Sequence, residues 1–259
     1  MRGVFDRNLE VIAEIGINHN GNMNLAHELI RQAAICGADV VKFQAYSVDA
    51  LFGPGGEDDN PEIYAGVKPL EFDYDQFVQL KKWTDEEGIE FMCSVFDIER
   101  LGWMEKIGVK RHKIASRVSK LNHDLAQKIV DTGKECFVSR GMGGQGFNGK
   151  HHGQLRQLYC VSEYPTEFTS LKMPERFKGM LSPFSSGYAP WGFSDHTLGI
   201  ESALVAVGRG ALAIEKHFTL DKSAEGFDHI CSVTPPELET LCKLGKQMAK
   251  VIQLGERKI

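Results

Sequence analysis

Eight short, nearly continuous apolar runs, with helical stretches between most of them, constrain this sequence more than any other feature. They occupy residues 11–17, 39–44, 90–96, 111–116, 135–139, 155–161, 191–194 and 213–217. Each is bounded by polar residues or glycine, the pattern of parallel strands covered on both faces. Residues 24–36 set Leu25, Leu29 and Ala33 on one side of a helix, and a last helix from about Pro236 repeats Leu238, Leu241, Met248 and Ile252 at helical spacing. Pro235 and Pro236 suit its start. Eight strands, each followed by a crossover, are the count for an α/β fold of the (β/α)8 TIM-barrel type, here a single domain over residues 1–259. An open doubly wound sheet is the alternative, but no GxGxxG turn follows the first strand. Residues 53–69 read as a long polar loop, a candidate flap. Residues 141–153 are too glycine-rich for a full fifth helix and are expected to form a loop or a shortened helix.

Charge and composition exclude some partners. The formal net charge is −5, without a run of lysine or arginine, which disfavours nucleic acid and acidic membranes. No apolar stretch is long enough to span a bilayer and the N-terminus carries no signal core, so a cytoplasmic location is expected. The cysteines (Cys36, Cys93, Cys136, Cys160, Cys231 and Cys242) form no CxxC pair, and Cys93, Cys136 and Cys160 read as small buried side chains.

In such a barrel the reacting groups project from the C-terminal strand ends. Read in order, those ends offer Glu14, Asn18 and His19; Lys42 and Gln44; Ser94 and Asp97; Lys113 and Ser116; Ser139 and Arg140; Ser162 and Tyr164; Ser194, Asp195 and His196; and Glu215, Lys216 and His217. Lysines inside β-runs need anionic partners. With the hydroxyls around them, Lys42 and Lys113 describe a pocket for a small ligand carrying phosphate and carboxylate; the alternative for each is an ion pair with a structural carboxylate. His196 and His217 end consecutive strands, which lie about 4.8 Å apart, a spacing that suits two imidazoles on one ion such as Mn²⁺, Mg²⁺, Fe²⁺ or Zn²⁺. His151 and His152 read as solvated loop residues.

Seven motifs then follow in one order: AEIGINHNG at 13–21, VKFQ at 41–44, KIAS at 113–116, SRGM at 139–142, SEYP at 162–165, SDHTLGIE at 194–201 and EKHFTLD at 215–221. Together they resemble the barrel domain of the sialic acid synthase family, over nearly the whole chain. The resemblance implies a transferase that condenses phosphoenolpyruvate with the aldehyde of a 2-acetamido hexose, such as N-acetylmannosamine or a related amino sugar, giving a 2-keto sugar acid and phosphate. It implies a divalent metal on His196 and His217, Mn²⁺ first, with Mg²⁺ or Co²⁺ as alternatives. Lys42, Ser94, Lys113, Ser116, Ser139, Ser162 and Ser194 would line the phosphoenolpyruvate site; Gln44, Tyr164 and Asp228 would contact the sugar; Glu14 would match the catalytic glutamate.

Three departures qualify that expectation. Members of the family usually carry an antifreeze-like domain after the barrel, which lends an arginine to the partner's sugar site; here a homodimer and a separate antifreeze-like domain protein are the candidate partners. After KIAS stand Arg117 and Val118, where the family has a small or apolar residue and then a sugar-binding glutamate. Arg140 replaces a threonine. Arg117 and Arg140 are therefore candidates for binding the acceptor. Competing readings are condensation with a different, phosphorylated aldose, and a non-catalytic barrel subunit.

Overall fold

The computed structural model describes residues 8–53, 58, 60–147, 154–177 and 190–256. Its eight strands are β1 Glu10–Gly16, β2 Val40–Ala45, β3 Glu90–Val95, β4 Arg111–Ile114, β5 Glu135–Ser139, β6 Leu155–Cys160, β7 Gly192–Asp195 and β8 Ala213–His217. All pair in parallel with their sequence neighbours, and β8 closes on β1, so the ring has no edge. The expected TIM barrel is the observed fold. Helices follow as α1 Met23–Ile35, α2 Val48–Phe52, α3 Pro61–Val67, α4 Tyr74–Glu86, α5 Ile98–Ile107, α6 Ser116–Leu121, α7 His123–Asp131, α8 Glu201–Gly208 and α9 Pro235–Glu256.

Two expectations change. The stretch 53–69 is not simply a loop: α3 starts at Pro61, where a missing N–H costs nothing, and runs into a 3-10 turn at Lys68–Leu70. The fourth strand ends at Ile114 rather than Ser116, because extended Ala115 starts α6. Residues 141–147 are irregular, as their glycines require, while 148–153, including His151 and His152, lie outside the described residues.

Because alternate residues on a strand face opposite sides, the barrel interior is built in three tiers two residues apart. The lowest is ionic: Arg111 meets Glu10, Glu90 and Glu135, and Arg156 pairs with Glu135. Above it lies an apolar tier of Ile12, Val40, Met92, Phe137, Leu158 and Ala213. Two residues further along come Glu14, Lys42, Ser94, Ser139, Cys160 and Glu215, all of which line a cleft at the C-terminal mouth. The apolar tier is therefore a floor that shuts water out from below. Opposite parity supplies the outer core, where Val11, Val41, Phe91 and Ile214 pack in the same cluster as Leu29, Leu80 and Leu241 of the helices.

Two glycines are needed for this closure. A Cβ at Gly192 would stand 2.2 Å from the carbonyl oxygen of Ala213, so only glycine lets β7 approach β8. Gly16 has φ +56° at a register shift in β1, and a Cβ there would crowd Gln44 Nε2 at 3.1 Å.

Candidate active site

The cleft has about 340 Å³ of space counted to its open mouth. Of the residues singled out from sequence, Glu14, Lys42, Gln44, Ser94, Lys113, Ser116, Ser139, Tyr164, Ser194, His196 and His217 line it. Cys160 and Glu215 line it too.

Glu215 is the group that sequence reasoning left without a role, yet it organises the centre. Its carboxylate accepts the Ser194 hydroxyl at 2.7 Å and lies 3.5 Å from Lys113 Nζ and 3.7 Å from Lys42 Nζ. Lys42 also pairs with Glu14 at 2.8 Å and donates to Ser94 Oγ at 3.0 Å. Gln44 donates to the other Glu14 oxygen at 3.1 Å. Both lysines thus have the carboxylate neighbours that their burial demands. The structural ion pairs are present, and both lysines also line the cleft.

The electrostatics follow from that geometry. Burial pushes the Glu14 carboxyl above its ordinary range, and Lys42 only partly offsets this. For Glu215, burial is outweighed by Lys113, Lys42 and the Ser194 hydroxyl, which pull it down to about 2. Burial would lower Lys42, but Glu14 and Glu215 hold it above the ordinary lysine value. Burial lowers Lys113, with Glu215 compensating only in part. An anion entering the cleft therefore meets two ammonium groups, one of them underpaired. Ser139 Oγ is buried without a hydrogen-bond partner, a donor available to that anion.

His196 and His217 face each other with ring centroids 5.5 Å apart. Nδ1 of His196 donates to the Val161 carbonyl at 2.7 Å, which leaves its Nε2 for another partner. His217 is held neutral by burial and by its cationic neighbours, and its Nδ1 is buried without a hydrogen bond, 3.6 Å from Asp228 Oδ2. Burial raises Asp228 to about 6. Among the described residues no three His, Cys, Asp or Glu side chains are arranged to hold a metal ion. Two imidazoles on adjacent strand ends, one with an orphaned nitrogen, nevertheless fit a cation whose remaining ligands are substrate oxygens or water. Tyr164 covers His196 with ring centroids 4.0 Å apart, and burial holds its hydroxyl well above the ordinary phenol value.

Four of the expected residues stand outside the cleft lining. Asp228 starts a 3-10 turn at its rim, beside Gly16 and His217. Ser162 lies past the end of β6, packed against Gly141. Arg117 is carried outward by α6, donates to the Leu51 carbonyl at 3.1 Å and lies over Phe52. Arg140 lies over Phe147. Neither arginine is among the residues that line the cleft. Val118 is buried in the outer core, so that position contributes nothing to the cleft. Asn18 and His19, also at a strand end, are structural: Asn18 donates to the Phe218 carbonyl and to Ser232 Oγ, each at 2.9 Å, and His19 stacks on Phe72. All six cysteines are free and buried.

Comparison with known proteins points one way. The model of the NeuB family matches residues 29–257. An N,N'-diacetyllegionaminic acid synthase of Legionella pneumophila is 35% identical over 268 residues, covering 96% of this chain and 74% of that protein. The N-acetylneuraminate-9-phosphate synthase of Homo sapiens is 30% identical over 258 residues, covering 90% and 68%. The crystal structure of an N-acetylneuraminic acid (sialic acid) synthetase from Leptospira borgpetersenii, in complex with citrate, superposes with TM-score 0.80 at 33% identity, covering 95% of this chain and 85% of that one.

Proposed function

The chain belongs to the NeuB family, and from that premise we propose that it condenses phosphoenolpyruvate with the open-chain aldehyde of a 2-acetamido hexose, forming a carbon–carbon bond and releasing phosphate. The observation that carries this reading is the convergence of Lys42, Lys113, His196 and His217 on one cleft around the Glu14 and Glu215 carboxylates.

The lysines and the hydroxyls of Ser94, Ser116, Ser139 and Ser194 hold the phosphate and carboxylate of the donor. Arrival of that anion lets Lys42 share its charge between ligand and Glu14. Carbon 3 of phosphoenolpyruvate attacks the aldehyde carbon with its π electrons. The carbonyl π pair moves to the aldehyde oxygen, which takes a proton from water to become a hydroxyl, and positive charge develops at carbon 2. A water adds there and gives its proton to Glu14, which becomes the stronger base as Lys42 turns to the phosphate. The tetrahedral adduct then collapses: the carbon–oxygen bond to phosphate breaks, the carbon-2 hydroxyl becomes the keto group by giving its proton to the departing phosphate, and phosphate leaves with the bond's electrons. Gln44, Tyr164 and Asp228 orient the sugar at the outer side of the cleft.

His196 and His217 would hold the divalent cation, Mn²⁺ first, whose contribution when bound is Lewis-acid polarisation of the aldehyde. No helix of the described residues is long and apolar enough to cross a membrane. We place the reaction in the cytoplasm, where the six free thiols stay reduced.

Phosphate release from phosphoenolpyruvate, followed across aldoses with and without a 2-acetamido group and with and without phosphate, tests the reading. Release that depends on a 2-acetamido hexose is expected. Release only with a phosphorylated aldose that lacks this group would replace the acceptor, and no aldose-dependent release would leave a non-catalytic barrel.

A further inference from the structure

Asp195 and Lys216 each stand one residue before a site histidine, and both side chains are completely shielded from solvent. They are ladder partners across β7 and β8. They share the outward parity of Phe193 and Ile214 and lie behind the barrel wall, while Ser194 and Glu215 face the cleft. Lys216 Nζ lies 3.1 Å from Asp195 Oδ2 and also donates to the Thr197 carbonyl. The other Asp195 oxygen accepts the Thr197 N–H at 2.9 Å and its hydroxyl at 2.8 Å. His196 is therefore bracketed by two anchored residues, and β8 is tied to the same anchor just before His217.

A buried ion pair is a poor way to gain stability, because apolar residues of similar volume usually do as well or better. What apolar packing lacks is direction. We propose that the Asp195–Lys216 pair is a positioning device for the cation site, fixing the ends of β7 and β8 so that the two imidazoles converge. This rests on the two-imidazole reading of the preceding subsection. Neither residue lines the cleft, so both act through the histidines.

The double variant Asp195→Leu with Lys216→Met removes both charges while keeping most of the bulk. It is expected to fold with a cooperative thermal transition and unchanged phosphoenolpyruvate affinity. Its Mn²⁺ affinity, measured by calorimetry without substrates, is expected to fall about 10–100-fold, the usual cost of losing a residue that orients a metal ligand. Wild-type Mn²⁺ affinity in the folded double variant overturns the proposal. Should that variant fail to fold, Thr197→Val withdraws only one hydroxyl from Asp195: weaker Mn²⁺ binding at an unchanged melting temperature supports the proposal, and unchanged binding overturns it. Crystal structures give a readout that needs no metal. The ring-centroid spacing of 5.5 Å is expected to change in whichever variant folds, and an unchanged spacing overturns the positioning role. If the wild type binds no Mn²⁺, the cation reading of the site fails instead, and the ring spacing still decides the positioning claim.

Discussion

Lys42 Nζ lies 2.8 Å from Glu14 Oε2, with each side chain only 3% exposed. The cation that would hold the donor's phosphate and the carboxylate that would manage the water's proton are thus a single buried unit.

Replacing Lys42 with methionine separates these roles. Truncating a buried, hydrogen-bonded charge costs about 2 kcal/mol or more, so phosphoenolpyruvate affinity should fall at least about 30-fold by calorimetry. Glu14, already raised by burial, loses its ammonium partner and rises further. A carboxyl raised on folding destabilises only as pH climbs above its ordinary range through the raised value. The stability deficit of Lys42→Met against wild type should therefore be larger at neutral pH than near pH 4, as denaturant melts would show.

Glu215 gives the opposite sign. Its carboxyl is depressed to about 2, so its stabilising contribution is complete above the ordinary carboxylate value and is lost as pH falls towards 2. Glu215→Gln should cost about 3 kcal/mol at neutral pH, the scale for breaking a buried pair. The gap between variant and wild type should narrow below about pH 4.5. A gap that is constant with pH would contradict the ion pairing with Lys113 and Lys42.

At the lowest tier, Arg111 joins Glu10, Glu90 and Glu135 and covers Phe137. Arg111→Leu leaves three carboxylates without their hub and should lower stability by about 3 kcal/mol. Because an apolar tier separates this hub from the cleft, kcat/KM below the melting transition should stay at the wild-type value. A kinetic defect in the folded variant would contradict that separation.

Arg117 and Arg140 do not line the cleft: Arg117 donates to the Leu51 carbonyl and Arg140 lies over Phe147. Alanine at either position should leave the acceptor KM unchanged in steady-state assays. A raised acceptor KM in either variant would restore the role that the sequence suggested for these arginines.

The strands were legible because parallel strands buried on both faces leave continuous apolar runs, and every one of the eight appears within two residues of its expected bounds. Most of the site was legible because a lysine or histidine inside such a run needs a reason. Glu215 could have been given its role by parity: it stands two residues after Ala213 and two before His217, on the inward face. The setting of Arg117 was not legible for want of one boundary, since extended Ala115 makes Ser116 the start of a helix and Arg117 its second residue. Asp228 lies outside the strands, where no periodicity applies, and only the family resemblance pointed to it. Helix α3 has a start signal in Pro61, which suits a first helical turn, but the polarity of residues 53–69 reads as loop.

Donor and cation would meet at one mouth of the barrel. A crystal structure with phosphoenolpyruvate and Mn²⁺, with anomalous scattering recorded at the manganese edge, tests this meeting point. A manganese peak is expected within bonding distance of both His196 and His217, with phosphoenolpyruvate held by Lys42 and Lys113. A peak away from the two imidazoles, or a donor bound outside this cleft, would contradict it.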